Sequence, residues 1–216
     1  MGPPGAGKGT QAKRLVDRFG MAHLSSGDIF RAEKDSGSAA GQELARYMDS
    51  GQLVPDPIVV EIMARAITTC RAEAGLLLDG FPRTLAQAEA LDRQLDEAGR
   101  GLDAVVVITA DEDEIVQRIT GRRGCPRCGK AYHVKFLPPR RDDLCDVCGV
   151  QLAQRDDDTQ AVVRQRLSAY NRQTEPVIAY YRGRPRLKTI FINGSQTPDE
   201  VAAAIVEALR SIGSQG

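Results

Sequence analysis

The sequence predicts an α/β fold, a parallel-sheet core flanked by helices, and three observations predict it. A glycine-rich segment, Gly2-Pro-Pro-Gly-Ala-Gly7-Lys8-Gly9-Thr10, opens straight into a stretch with apolar residues at helical spacing: Ala12, Leu15, Val16 and Phe19. Strand-like and helix-like stretches then alternate along the chain, the order that gives parallel strands joined by crossover helices. Two segments break that rhythm and read as insertions at the ends of core elements, where open α/β sheets bind ligands.

Each element has its own local reason. Ala22 to Leu24 reads as a short strand, and Ala74 to Leu78 as a buried strand stopped by Asp79-Gly80-Phe81-Pro82. Leu85, Ala88, Leu91, Leu95 and Ala98 mark one face of a helix ended by Gly99. Val105-Val106-Val107-Ile108 is too apolar for a strand with one wet face. Asp111 to Thr120 predicts a short helix, with acidic residues where the helix dipole favours them. A long helical stretch follows Thr159, and Pro176 is expected to kink or divide it. Thr189 to Ile192 is the last strand. Val201, Ala204, Ile205, Ala208, Leu209 and Ile212 form the last helical face. The core is thus 1–24, 55–120 and 159–216, with a small, polar, helical insertion at 25–54 and a second at 121–158.

Composition narrows the function. The 216 residues carry 29 Lys plus Arg against 29 Asp plus Glu, a formal net charge of zero. That balance argues against a nucleic-acid coat protein or a membrane-surface anchor, which carry excess positive charge. With 42% hydrophobic and 27% charged residues, the chain is globular rather than disordered. No apolar run is long enough to cross a membrane and no signal segment opens the chain, so the expectation is a cytoplasmic, soluble protein.

The glycine segment predicts a phosphate site. Closely spaced glycines let successive backbone N–H groups point into one concavity, and the helix N-terminus adds its free N–H groups and dipole. Lys8 then reaches the terminal phosphates as a point charge. Gly9 stands where the general motif has Ser or Thr, so no hydroxyl holds magnesium directly at that position; Thr10 follows one residue later. Asp79 closes a buried strand. It is open to two readings, an acid that positions magnesium through water or a turn residue beside Gly80.

Cys125-Pro-Arg-Cys128 and Cys145-Asp-Val-Cys148 are separated by sixteen residues. Two such pairs suit tetrahedral thiolate coordination of structural zinc, with no open position for catalysis. Two disulfides or four free thiols are the alternatives. His133 is expected on the surface of this insertion, His23 near the core, and Cys70 as a free thiol, buried or partly so.

The glycine loop, Ser25-Ser26-Gly27-Asp28, Asp79-Gly80-Phe81-Pro82-Arg83-Thr84 and Gly121-Arg122-Arg123 together closely resemble adenylate kinases, in order and separation, over essentially the whole chain. The resemblance implies reversible transfer from Mg-ATP to AMP giving two ADP, with residues 25–54 as the monophosphate-binding domain and 121–158 as a lid of the zinc-bearing type. It implies that Gly5, Ala6, Gly7, Lys8, Gly9 and Thr10 hold ATP phosphates, that Arg118 and Arg122 reach ATP, and that Ala131, Tyr132 and Gln196 lie along its base or ribose. For AMP it implies Ser26, Arg31, Gln52, Leu53, Val54, Gly80, Arg83, Gln87, Arg155 and Arg166. Lys8, Arg83, Arg118, Arg122, Arg155 and Arg166 form the catalytic set. Asp157 and Asp158 match an acidic pair at the end of the family's lid; a merely solvated charge run is the other reading.

The chain departs from the family at Ser26, where many relatives have Thr, in the spacing at Gln196, and most seriously at its start. Relatives have a central strand just before the glycine loop, whereas here the loop starts at residue 2. The expectation is a gap or distorted pairing beside the strands ending at Asp79 and Ile108. Expected partners are ATP, AMP and ADP, with no nucleic acid and no membrane, acting on a monomer. A relative preferring CMP, UMP or another monophosphate is the nearest alternative. A zinc-ribbon nucleic-acid module is disfavoured by the charge balance and by only 5% aromatic residues.

Overall fold

The computed structural model describes residues 1–185 and 187–213; residues 186 and 214–216 of the expected core segment lie outside them. The chain folds as α/β, with its parallel strands in two pairs. β1 (Ala22–Ser25) pairs with β2 (Leu76–Asp79) in the register Ala22↔Leu76 to Ser25↔Asp79. β3 (Ala104–Thr109) pairs with β6 (Lys188–Asn193) in the register Ala104↔Lys188 to Thr109↔Asn193.

Among the described residues no ladder joins β2 to β3, the gap expected beside the strands ending at Asp79 and Ile108. The first residues lie along the free edge of β3 instead. The Met1 ammonium donates to the Val106 carbonyl, and Ile108 N–H donates to the Met1 carbonyl at 3.0 Å. Gly2 follows with φ 132°, and a Cβ there would stand 2.2 Å from the Ile108 carbonyl oxygen, so this close approach admits only glycine.

Alternation along the strands sorts the core into layers. Leu76 and Leu78 face a cluster built with Met63, Leu91 and Phe30; Leu77, Val106 and Ile108 face the opposite side, with Leu15 and Ile205. Val105 and Val107 pack on Ala88, Val177 and Tyr181. The first side takes α2 (Ser26–Asp35), α3 (Ala39–Asp49), α4 (Asp56–Thr69) and α5 (Leu85–Glu97), together with α8 (Glu175–Arg182). The second takes α1 (Lys8–Phe19) and α9 (Pro198–Gly213). Side-chain caps start several of these helices: Ser25 accepts from Asp28 N–H, Ser38 from Gly41 N–H and Thr84 from Gln87 N–H.

Two details of the predicted faces differ. Phe19 and Leu85 are exposed at the last and first turns of their helices, and Ala98 is exposed just past the end of α5. The division of the long helix falls earlier than Pro176. α7 (Gln160–Ala169) passes into a π-helical turn, Tyr170–Thr174, and Pro176 sits in the first turn of α8, where its missing N–H costs nothing.

α6 (Glu112–Thr120) leads into the 121–158 segment, which forms a hairpin of β4 (Arg122–Gly124) and β5 (Ala131–His133) over a small core of Cys125, Tyr132, Cys145 and Leu152. No helix of the described residues is long and apolar enough to cross a membrane.

Candidate active site

The glycine loop runs from the β3 edge to the start of α1. Gly5 and Gly7 have φ of 79° and 94°, and Gly7 occupies the N-cap without a side-chain hydrogen bond to the first turn. The first N–H groups of α1 are therefore presented to a ligand, the arrangement that binds phosphate. Lys8 folds back over its own loop, donating to the carbonyls of Gly2 at 2.8 Å and Pro3 at 2.7 Å. Desolvation pushes its pKa down to about 7; Asp79 opposes this, while Arg83, Arg166 and Arg122 add to it. Asp79 stands opposite this junction: a Cβ on Gly9 would lie 3.6 Å from its Oδ2. Its other near neighbour is His23 Nε2 at 3.6 Å, on the paired strand. Thr84, not Asp79, caps the following helix, so the carboxylate is free to face the loop.

A cavity opens beside the loop, between the ends of β2, α2, α3 and the π-helical turn. Its lining brings together Lys8, Arg31, Gln52, Leu53, Val54, Gly80, Arg83, Gln87 and Arg166, with Asp157, Tyr170 and Thr174. Arg83 is aimed by its neighbours: its Nε donates to the Gly80 carbonyl at 2.7 Å, and its own carbonyl accepts from Thr174 Oγ1 at 2.9 Å. Burial and then Arg166 bring the Arg83 pKa down to about 10, and burial likewise lowers that of Arg166. Arg166 donates to Asp157 at 2.7 Å, and Arg31 to Asp28 at 2.5 Å. Arg155 lies within electrostatic range of Arg122 and Arg31 but is itself exposed, so water relieves it more than the others. Cations held close enough to depress one another make a site for a polyanion.

Ser26 and Gln87 are both 1% exposed. Ser26 Oγ donates to the Gly80 carbonyl at 2.7 Å. Gln87 Oε1 accepts from Arg83 N–H at 2.8 Å, and its Nε2 donates to Asp56 Oδ1 at 2.7 Å.

Other expected residues stand away from this cavity's lining. Arg118 pairs with Glu114 at 2.6 Å, and the second oxygen of that carboxylate accepts from Ser195 Oγ at 2.6 Å. Gln196 is exposed in the turn beside Ser195, and Thr10 is exposed on the first turn of α1. Ala131 is exposed, but the Tyr132 ring turns inward, its hydroxyl accepting from Asp146 N–H at 2.8 Å, 3.4 Å from Cys145 Sγ. Any nucleotide contact at Tyr132 therefore falls to its main chain. Arg122 gives its guanidinium to buried Asp158, so the acidic pair is not a solvated run: both of its members hold arginines.

Asp56, Glu114 and Thr174 are positioning groups that sequence reading missed. Asp56 opens a helix, α4, that the sequence reading did not place, and Thr174 acquires its partner from the π-helical turn, which carries no sequence signature.

The four paired cysteines meet with their Sγ atoms all within 4.8 Å of one another. Cys125–Cys148, Cys128–Cys145 and Cys145–Cys148 are 3.5, 3.6 and 3.7 Å apart. A disulfide requires about 2.05 Å, whereas tetrahedral zinc–thiolate bonds of about 2.3 Å set sulfurs about 3.8 Å apart. The two halves are built alike. Cys125 Sγ accepts from Cys128 N–H and Cys145 Sγ from Val147 N–H, both at 3.4 Å. Each loop turns at a glycine of positive φ, Gly129 at 69° and Gly149 at 66°. The donor set fits a soft divalent ion. Cys70 is a half-buried free thiol at the end of α4. His133 is half-buried and held at the base of the hairpin: its Nδ1 accepts from Lys135 and Phe136 N–H at 3.0 Å, leaving Nε2 to donate to the Gln117 carbonyl at 3.2 Å.

A glycine loop at a helix N-terminus, beside a cavity lined by several arginines and by side-chain amides, defines a nucleotide phosphotransferase. The match to known proteins is specific: the family model described as adenylate kinase aligns with residues 1–186. The adenylate kinase of Carboxydothermus hydrogenoformans is 48% identical over 210 residues, 97% of each chain. Those of Clostridium botulinum and Methanocella arvoryzae are each 46% identical, over 97% and 98% of this chain and 96% and 97% of their own. The chain belongs to the adenylate kinase family.

Proposed function

We propose that this chain catalyses reversible phosphoryl transfer from Mg-ATP to AMP, giving two ADP, with the ATP phosphates on the glycine loop and AMP in the adjoining cavity. The observation that carries this reading is the cavity lined by Lys8 of the loop together with Arg31, Arg83, Arg166 and Gln87. The attacking AMP phosphate is already an anion near neutral pH, so no residue has to remove a proton. What the reaction requires is alignment of two anions, charge neutralisation and exclusion of water.

In this reading residues 5–10 cradle the ATP phosphates, and Lys8 leaves its loop carbonyls for phosphate oxygens. Arg31 and Arg83 grip the AMP phosphate. Arg118 and Arg122 reach ATP, and Arg155 and Arg166 serve the transferring group and the AMP side. Planar guanidinium groups suit this work because they bind phosphate oxygens in pairs. Ser26, Gly80, Gln87 and the segment Gln52 to Val54 surround the AMP nucleoside; Gln196, Ala131 and the Tyr132 main chain serve that of ATP. Magnesium bound with ATP would supply charge neutralisation at the phosphates, and Asp79 would hold its water shell. Cys125, Cys128, Cys145 and Cys148 hold structural zinc, which stiffens 121–158 as a lid; residues 25–54 form the monophosphate-binding unit. The enzyme acts as a cytoplasmic monomer.

The test is NDP formation from Mg-ATP with AMP, CMP, UMP and GMP supplied separately. Turnover with AMP far above the rest is the expected result. Preference for another monophosphate overturns the base assignment and keeps the phosphate chemistry.

A further inference from the structure

We propose that Asp56 is a specificity-determining residue: by locking the side-chain amide of Gln87 in one orientation, it makes the pocket read adenine and reject guanine. The inference rests on the reading of this cavity as the monophosphate site. Gln87 lines the cavity from the first turn of α5, while Asp56, on the first turn of α4, lines the neighbouring hollow that shares Gln52, Leu53 and Val54 with it.

The lock follows from the kinds of group that meet. Gln87 Oε1 accepts from the Arg83 main-chain N–H at 2.8 Å, and Gln87 Nε2 donates a hydrogen bond to Asp56 Oδ1 at 2.7 Å. A backbone N–H only donates, and an ionised carboxylate only accepts. Turning the amide over would set N–H against N–H and oxygen against carboxylate, at a side chain only 1% exposed. Two hydrogen bonds of a buried amide would be lost and two repulsive contacts made, one of them against a carboxylate. Gln87 therefore has one orientation.

Orientation matters because the amide is the only part of Gln87 that distinguishes bases. After its two internal bonds it retains one N–H and one oxygen lone pair. Adenine offers a ring acceptor, N1, beside a donor, the 6-amino group. Guanine offers the opposite polarity at the same two positions, a ring N1–H beside the O6 acceptor. An amide free to turn over satisfies either base. An amide held in one sense satisfies one and leaves buried polar groups unpaired against the other, which is how a hydrogen-bonding site rejects an analogue strongly. Asp56 touches no nucleotide in this scheme; it is a positioning residue acting through Gln87.

The experiment is steady-state kinetics with Mg-ATP and either AMP or GMP, on the wild-type chain, Asp56→Asn and Gln87→Met. The first change is nearly isosteric and sets a carboxamide, able to present either a donor or an acceptor, against Gln87. The expected result is a fall of about tenfold in the AMP-to-GMP ratio of kcat/KM, through a raised KM for AMP, with the KM for ATP unchanged. Asp56→Glu, which keeps an accepting carboxylate, should recover part of the ratio. If Asp56→Asn keeps the wild-type ratio while Gln87→Met loses it, the lock is overturned and the base site stands. If both variants keep the ratio, the assignment of Gln87 to the base falls and the lock falls with it. A proportionate loss with both nucleotides marks a merely structural Asp56 and also overturns the proposal.

Discussion

Asp158, whose side chain has no exposed surface, receives both arms of the Arg122 guanidinium, with Nε to Oδ2 at 2.8 Å. Arg122 begins β4 and Asp158 immediately precedes the Thr159 cap of α7, so the pair ties the entry of the cysteine-bearing segment to its exit. Gln154 Nε2 crosses the same seam, donating to the carbonyls of Thr120 at 3.0 Å and Asp158 at 3.1 Å. Breaking a buried pair from one side costs several kcal/mol, but Arg122 remains 29% exposed and water takes up part of the loss. Asp158→Ala is expected to cost about 2 kcal/mol and to lower Tm by about 4–8 °C. Amide exchange should quicken most around Thr120 to Gly124. An unchanged Tm with unchanged exchange would show the pair to be idle.

The cysteine cluster predicts one zinc per chain by elemental analysis, lost in Cys125→Ser. Because the four thiolates close the shell, metal removal should melt residues 121–158 without unfolding the parallel core. A chelator titration followed by circular dichroism and by proteolysis within the segment checks this. A metal-free chain with a protease-resistant lid would refute it.

Lys8 predicts a pH dependence of known sign. Its folded pKa of about 7 lies below the ordinary lysine value of 10.5 because burial disfavours the ammonium. Between those values the unfolded chain binds more protons on this group than the folded one, so its contribution makes stability rise with pH across that window. Denaturant unfolding at several pH values should show a steeper rise for wild type than for Lys8→Met. Equal slopes would place the Lys8 ammonium in water. The same variant is expected to lose about 10²–10³-fold in kcat, the scale of one electrostatic contact to the transferring group.

Glu114 holds Arg118 with one oxygen and Ser195 with the other, so a single carboxylate joins α6 to the turn carrying Gln196. Arg118 and Glu114 are each less than a third exposed, and fixing the guanidinium in advance lowers the entropy lost on binding. Glu114→Ala is expected to raise the KM for ATP about threefold to tenfold with that for AMP unchanged. In an Arg118→Ala background the same change should add nothing. Additive effects would mean that Glu114 does not act through Arg118.

Much of the site was legible because its chemistry is local. The glycine loop, Lys8 and the start of α1 are contiguous, and a phosphate cradle needs only backbone N–H groups presented by a short stretch of chain. The cysteine pairs were legible for the same reason: each half is a self-contained turn, and only the meeting of the two halves required the fold. The break at Tyr170–Thr174 was not legible. A π-helical turn has no residue signature, and Pro176 pointed to a position six residues past the first residue of the break. Gln87 could be named from sequence, but its fixed orientation could not, since Asp56 lies 31 residues away on another helix.

The sequence by itself determined the α/β alternation of most core elements, the glycine-rich loop opening into a helix, the four-thiol cluster and the family, because periodicity, glycine placement and short spacings are properties of neighbours along the chain. Only the tertiary structure decided which groups are already engaged. It turned Tyr132 into the cysteine core, paired Arg122 with Asp158, and set Glu114 between Arg118 and Ser195. It also set Met1 against the edge of β3, with no ladder between β2 and β3 among the described residues. The physical reason is common to all of these. A buried donor or acceptor must find its complement wherever the packed chain brings one, and distance along the sequence does not say where that is.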